Sequence, residues 1–273
     1  MRKAQRLGHT HFRAVTVENW PWPLKIFTLG GFTILKDGSL IRFSTKAQKK
    51  PFELIKILIA LGGRDVARTR IGDSLWPDAE GDKADQALTT TLYRLRRLLG
   101  HEKAVQAQDG KLSISPSYCW VDCWAFEGLL SMAQDASKLG DLDSQIRLTE
   151  KALAHYNGLF LSGDTLEPWA VSQRERFRSK YLQAVYLIGE GLESTEQWEK
   201  AAYYYLRSLD IDDLSEETYQ RLMGCLQKLG RHAEALSVYE RCKTTLDAAF
   251  GLPPSSKTRQ IRRSILNERQ KSP

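Results

Sequence analysis

The stretch DQALTTTLYRLRRLLG, residues 85–100, gathers side chains able to read a polyanion with hydrogen-bonding edges. Leu88, Leu92, Leu95 and Leu99 follow a helical period. Wound at about 100° per residue they form one buried stripe, with Leu98 at its flank. Within about 60° of the opposite side lie Lys83, Gln86, Thr90, Tyr93, Arg94 and Arg97. Thr89 and Arg96 fall on the flank, and Thr91 falls towards the core edge. The outer face therefore holds basic groups, an amide, a hydroxyl and a phenol, but no acid. A solvated helix face gains a few tenths of a kcal/mol from each Glu/Lys pair spaced four apart. Threonines cost roughly 0.5 kcal/mol each against alanine. This face forgoes the first and accepts the second. In a DNA major groove, threonine methyls and hydroxyls meet base edges and arginine forks onto guanine. The alternative is a solvated basic face.

Further cations stand where a phosphate backbone would pass. Lys46, Lys49 and Lys50 precede an expected helix, Arg68 and Arg70 open a second, and Lys111 sits at a hairpin tip. Such contacts position a protein without distinguishing sequences. Six of them would give a log–log salt slope of about −5 at ~0.9 per phosphate.

The elements that must carry these groups follow from local signals. "LKIFTL" and "FTILK" are short strands about Gly30-Gly31, Asp37-Gly38 is a turn, and "LIRF" is a third strand. Pro51 suits the first turn of a helix whose apolar face is Leu54, Ile55, Leu58 and Leu61, ending at Gly62-Gly63. A shorter helix spans about Arg68–Trp76, and the helix of the opening stretch takes Asp82 as N-cap and Gly100 as C′ residue. "KAVQAQDGKLSIS" is a hairpin about Asp109-Gly110. Strands, three helices and a terminal hairpin are the order of a winged helix with an added N-terminal sheet.

From Asp122 to about Leu266 the text is helical. Ala201 and Ala235 stand 34 residues apart, as do Tyr205 and Tyr239, and Ile188-Gly189 fits the large-small pair of a repeat's first helix. That is the period of tetratricopeptide repeats, where small residues let helices approach closely.

Charge divides the chain the same way. Of the net +7, residues 1–117 hold 20 Lys/Arg against 11 Asp/Glu, and residues 118–273 hold 20 against 22. A polyanion partner is expected for the front half only. Cys119, Cys123, Cys225 and Cys242 make no disulfide framework, and His9, His11, His101, His155 and His232 are scattered, so no metal is expected. No apolar run approaches a membrane span, and no apolar stretch follows the basic N-terminus as in a signal peptide. A cytoplasmic location without membrane association is expected. No Walker-type loop or Ser/His/Asp or Cys/His grouping is present, so neither catalysis nor a cofactor is expected. Carboxylates near helix N-termini are explained by the dipole.

"LWPDAEGDKADQALTTTLYRLRRLLG" resembles the third-helix region of the bacterial SARP family of antibiotic-regulatory-type transcriptional activators. "YCWVDCWAFEGLL" is similar to that family's wing-to-helix junction, and "GRHAEALSVYERCKTTLDAAFGLPPS" to the final repeat of its bacterial transcriptional activator domain (BTAD). The resemblance covers about residues 24–266. It implies an OmpR-like α/β winged helix-turn-helix followed by an all-α TPR-like domain, dimeric binding to direct repeats near promoters, and recruitment of RNA polymerase. By position it assigns base reading to Arg94, with Thr91, Tyr93 and Arg97 as further groove or phosphate candidates. The sequence departs from the pattern at Ala67, where a capping Ser or Thr is usual, at Gly72 inside the second helix, and at Tyr93. The expected organisation is a connector at 1–23, a DNA-binding domain at 24–121, a BTAD at 122–266 and a tail at 267–273. The expected function is sequence-specific binding of double-stranded DNA. The alternatives are a TPR-type adaptor whose basic head binds RNA or protein, and non-specific DNA coating.

Overall fold

The computed structural model of the chain describes residues 21–41, 49–163 and 168–271. It is mostly helical, with the described strands confined to the part before Asp122. In β1 (Leu24–Phe27) the alternation is clean: Leu24 and Ile26 are buried while Lys25 and Phe27 are half-buried. β2 (Thr33–Lys36) runs antiparallel to it, pairing Leu24 with Lys36. β3 (Ser39–Leu40) returns across Asp37-Gly38; the rest of the expected third strand falls largely outside the described residues. β7 (Cys119–Val121) lies parallel to β1 on its other edge, Leu24 opposite Cys119, giving the order β3-β2-β1-β7.

Three helices and a second small sheet lie between β3 and β7. α1 (Lys49–Ala60) buries Leu54, Ile55 and Leu58 as expected, and also Phe52, Ile57 and Ile59. α2 (Arg68–Leu75) begins after Ala67 with no side-chain cap. Its Gly72 lies against α3 (Gly81–Leu99), where an added Cβ would sit 3.5 Å from that of Ala84. Asp82 does not cap α3. The helix starts at Gly81, so Asp82 lies within its first turn, where its charge favours the positive end of the dipole. Gly100 closes α3 at φ 72°, its N–H donating to the Arg96 carbonyl. β5 (Val105–Gln108) and β6 (Lys111–Ile114) form the expected hairpin. Asp109 and Gly110 both have positive φ, 49° and 71°, the backbone a two-residue type I′ turn requires. β4 (Val66–Ala67) adds to β6, Val66 opposite Leu112.

Seven further helices follow among the described residues: α4 (Asp122–Lys138), α5 (Leu142–His155), α6 (Pro168–Ser194), α7 (Trp198–Ser208), α8 (Glu216–Lys228), α9 (His232–Phe250) and α10 (Ser256–Lys271). The chain forms two compact units, and their division does not coincide with the expected boundary at residue 121. The first unit joins the residues up to Leu129 with Ala154–Phe177; the second joins Leu130–Leu153 with the chain from Arg178 onward.

Hydrogen bonds explain why 154–177 belong with the sheets. Leu29 bridges Phe160, and the Leu161 N–H donates to the Thr28 carbonyl at 2.8 Å. The buried Arg174 guanidinium donates to the Phe160 and Leu161 carbonyls at 2.9 and 3.0 Å. Trp120 meets Phe27 and His155 edge-on, each at 5.4 Å between centroids. Asp122 ties β1 to the start of α4. Its carboxylate accepts from the Thr28 and Leu29 N–H groups, from the Thr28 hydroxyl and from the Cys123 N–H, all at 2.7 or 2.8 Å. Burial pushes its pKa up to about 6 against the pull of these donors.

In the second unit the 34-residue spacing has a structural counterpart. Ala201 and Ala235 are fully buried on α7 and α9, as are Tyr205 and, to 6% exposure, Tyr239. Glu196 and Gly230, also one period apart, both take positive φ in the turns before those helices. At Gly189 in α6 the approach of α7 leaves no room for a side chain: a Cβ would lie 2.2 Å from the Tyr205 hydroxyl. That hydroxyl donates to Glu193 at 2.6 Å.

Candidate nucleic-acid interface

α3 packs on α1 and α2 through Ala84, Leu88, Leu92, Leu95 and Leu99. The leucine stripe is thus satisfied, and Gln86, Thr90, Tyr93, Arg94 and Arg97 are exposed together on the other side, beside Lys83 and Thr89. Tyr93 is 60% exposed, large for a ring on a charged face. The Arg97 guanidinium stands 5.9 Å from its centroid, a cation–π contact that holds both side chains along the surface. The Thr90 hydroxyl donates to the Gln86 carbonyl at 3.2 Å, which leaves its oxygen free to accept.

Thr91 does not join this face. It is 6% exposed, because one residue before Leu92 and three after Leu88 places it beside the buried stripe. The groove candidacy implied by the family resemblance is corrected on that ground.

The outlying cations separate into two kinds. Arg70 and Lys111 are exposed, at the start of α2 and at the tip of the β5–β6 hairpin. Lys49 is exposed with a loose 3.6 Å pairing to Glu53. Arg68 and Lys50, by contrast, are engaged by the protein's own structure, Arg68 largely covered and Lys50 still exposed. Arg68 donates to Asp85 and to the Thr89 hydroxyl, each at 2.7 Å. Lys50 donates to the Leu75 carbonyl at 2.9 Å, pairs with Glu53 at 3.0 Å and stands over the Trp76 ring. Both tie helices together. Lys46 lies outside the described residues.

Sequence reasoning left Arg96 on the flank without a role. Its Nε donates to the Val105 carbonyl at 2.9 Å and so joins α3 to the first strand of the hairpin. The Arg68 N–H likewise donates to the Gly110 carbonyl at 3.0 Å, which joins α2 to the hairpin's turn. An arginine in the last turn of a helix is the available signal for the first bond; nothing in the sequence signals the second. α3 and the start of α2 are therefore each tied to the hairpin by a hydrogen bond.

The described residues contain no group of three His, Cys, Asp or Glu able to hold a metal ion, and no helix long and apolar enough to cross a membrane. The four cysteines are free and buried, and burial pushes the Cys119 thiol up to about 12.

The bacterial transcriptional activator domain model matches residues 121–266, more than half of the chain. The chain belongs to this family of SARP-type transcriptional regulators. It is similar to the regulatory protein AfsR of Streptomyces coelicolor, 26% identical over 244 residues, which is 89% of this chain and 24% of AfsR. It is also similar to the transcriptional regulator HilA of Salmonella typhi, 35% identical over 95 residues, 34% of this chain and 16% of HilA. The chain spans about a quarter of the length of AfsR. Among solved structures, Mycobacterium tuberculosis EmbR, determined in complex with a low affinity phosphopeptide, superposes with a TM-score of 0.69. That match covers 90% of this chain and 65% of EmbR at 19% identity, and shows a shared fold.

Proposed function

We propose that this transcriptional regulator binds duplex DNA sequence-specifically, with α1–α3 and the β5–β6 hairpin acting as a winged helix-turn-helix and α3 lying in the major groove. The observation that carries the reading is the face of α3 on which Gln86, Thr90, Tyr93, Arg94 and Arg97 are exposed together while every leucine of the helical stripe is buried. Arg70, Lys111 and Lys49 supply phosphate contacts around it. The 34-residue correspondence between α6–α7 and α8–α9 supports a TPR-like scaffold for the second unit. Membership of the family supports a promoter-bound homodimer on repeated sites that recruits RNA polymerase and activates transcription.

Selection of duplexes from a random pool by the purified chain tests the central claim. Enrichment of one motif is expected. Preference for duplex without any motif would instead favour coating, and no duplex binding would overturn the reading.

A further inference from the structure

The near-neutral charge of the second half conceals a sharp internal division. Residues 118–255 hold 14 Lys/Arg against 21 Asp/Glu, whereas residues 256–273 hold six against one. All six lie on α10, whose first turn carries no acid. A cation in the first turn, here Lys257, faces the positive end of the helix dipole, an unfavourable placement.

The arginines are not distributed at random around α10. Thr258 and Ile265 are fully buried, and Ile261 and Arg262 are half-buried. Arg262 lies over the Tyr239 ring at 5.0 Å. The single acid, Glu268, is turned aside towards His232, 3.7 Å away. The opposite face holds Ser256, Arg259, Gln260, Arg263 and Asn267, all exposed and within about 60° of the line through Arg263. Among the described residues no carboxylate pairs with Arg259 or Arg263. This repeats the chemistry of α3: arginine interleaved with amide and hydroxyl groups, without acid.

We propose that this face of α10 is a second nucleic-acid contact, binding the sugar-phosphate backbone of duplex DNA. Arginine, serine, asparagine and glutamine are the side chains that make backbone contacts. A protein partner is less well matched, because protein interfaces centre on apolar side chains and the exposed groups of this face are all polar, Leu266 at its edge being half-buried. Backbone contacts through α10 add affinity without sequence preference. The proposal rests on duplex binding by the same chain, and it removes the expectation that only the front half meets a polyanion.

Fluorescence-anisotropy titrations of the full chain at about 50 to 200 mM salt, on selected and scrambled duplexes, test it. Arg259→Ala/Arg263→Ala is expected to flatten the log–log salt slope by about 1.8, at ~0.9 per phosphate. Over that fourfold rise in salt the wild type then loses about 12-fold more affinity than the variant. Arg259→Lys/Arg263→Lys should restore the slope, and the selected motif should be unchanged throughout. An unaltered slope in the alanine variant would overturn the proposal while leaving a selected motif standing. A flattened slope on scrambled duplex with no selected motif would uphold α10 and sink base reading by α3.

Discussion

Arg68 Nε lies 2.7 Å from Asp85 Oδ1, and the same guanidinium reaches the Thr89 hydroxyl. The start of α2 is thereby braced against the first turns of α3, and the hydrogen bond holds the Asp85 carboxyl below its usual range. Arg68 is a strut, whereas Arg70, two residues on, is exposed and is the one proposed to meet phosphate. Arg68→Ala is expected to lower affinity for the preferred site while leaving the salt slope at its wild-type value. Arg70→Ala and Lys111→Ala should each flatten that slope by about 0.9. Titration of the three variants across salt concentrations checks the distinction.

On the proposed function, base reading is expected to concentrate in Arg94. Arg94→Ala is expected to lose ~1–3 kcal/mol on the preferred duplex and to relax one base position. Lys49→Ala should weaken all sequences alike. Repeating the motif selection with both variants separates them; identical behaviour would remove the assignment of α3's outer face.

Asp122 makes the first unit sensitive to pH. Its folded pKa of about 6 lies above the ordinary carboxyl value of 3.8. Proton uptake therefore favours the folded state, a contribution complete below about pH 4 and lost as pH rises through about 6. Asp122→Asn should abolish this component, and should destabilise by ~1–3 kcal/mol at neutral pH because an amide cannot accept from all four donors. Urea unfolding of both proteins at intervals between pH 4 and pH 7.5 measures each effect.

Gly189→Ala drives a methyl into the Tyr205 hydroxyl. The helix gains about 1 kcal/mol of propensity, but overpacking of this kind costs about 1–3 kcal/mol. A net loss of stability is expected, with part of it recovered in Gly189→Ala/Tyr205→Phe. A double-mutant cycle on thermal or chemical unfolding gives the coupling between the two positions.

Much of α3 was legible because one property, leucine spacing, determines both which side is buried and which is exposed. The same winding placed Thr91 at the core edge; only the family resemblance moved it outward, and its 6% exposure returns it. Turn chemistry was equally local, so Asp109-Gly110 and Gly100 could be read directly. Arg68 and Lys50 could not, since whether a cation meets Asp85, the Leu75 carbonyl or solvent depends on tertiary placement. The division between compact units was hidden for a similar reason. Helical periodicity marks where α4 begins, but Asp122, Arg174 and the Leu29–Phe160 bridge act across distances in the chain that no local pattern records.

The parallel pairing of β1 with β7 has a consequence for biosynthesis. The β1–β2–β3 meander is complete once residue 40 has been made, yet Leu24 must await Cys119 for its other neighbour. A chain emerging from the ribosome at about 5–20 residues per second therefore carries the edge of β1 uncovered for several seconds. Exposed strand edges template pairing with other chains. The interval before β7 is made is therefore the one in which this edge is open to pairing with a neighbouring chain.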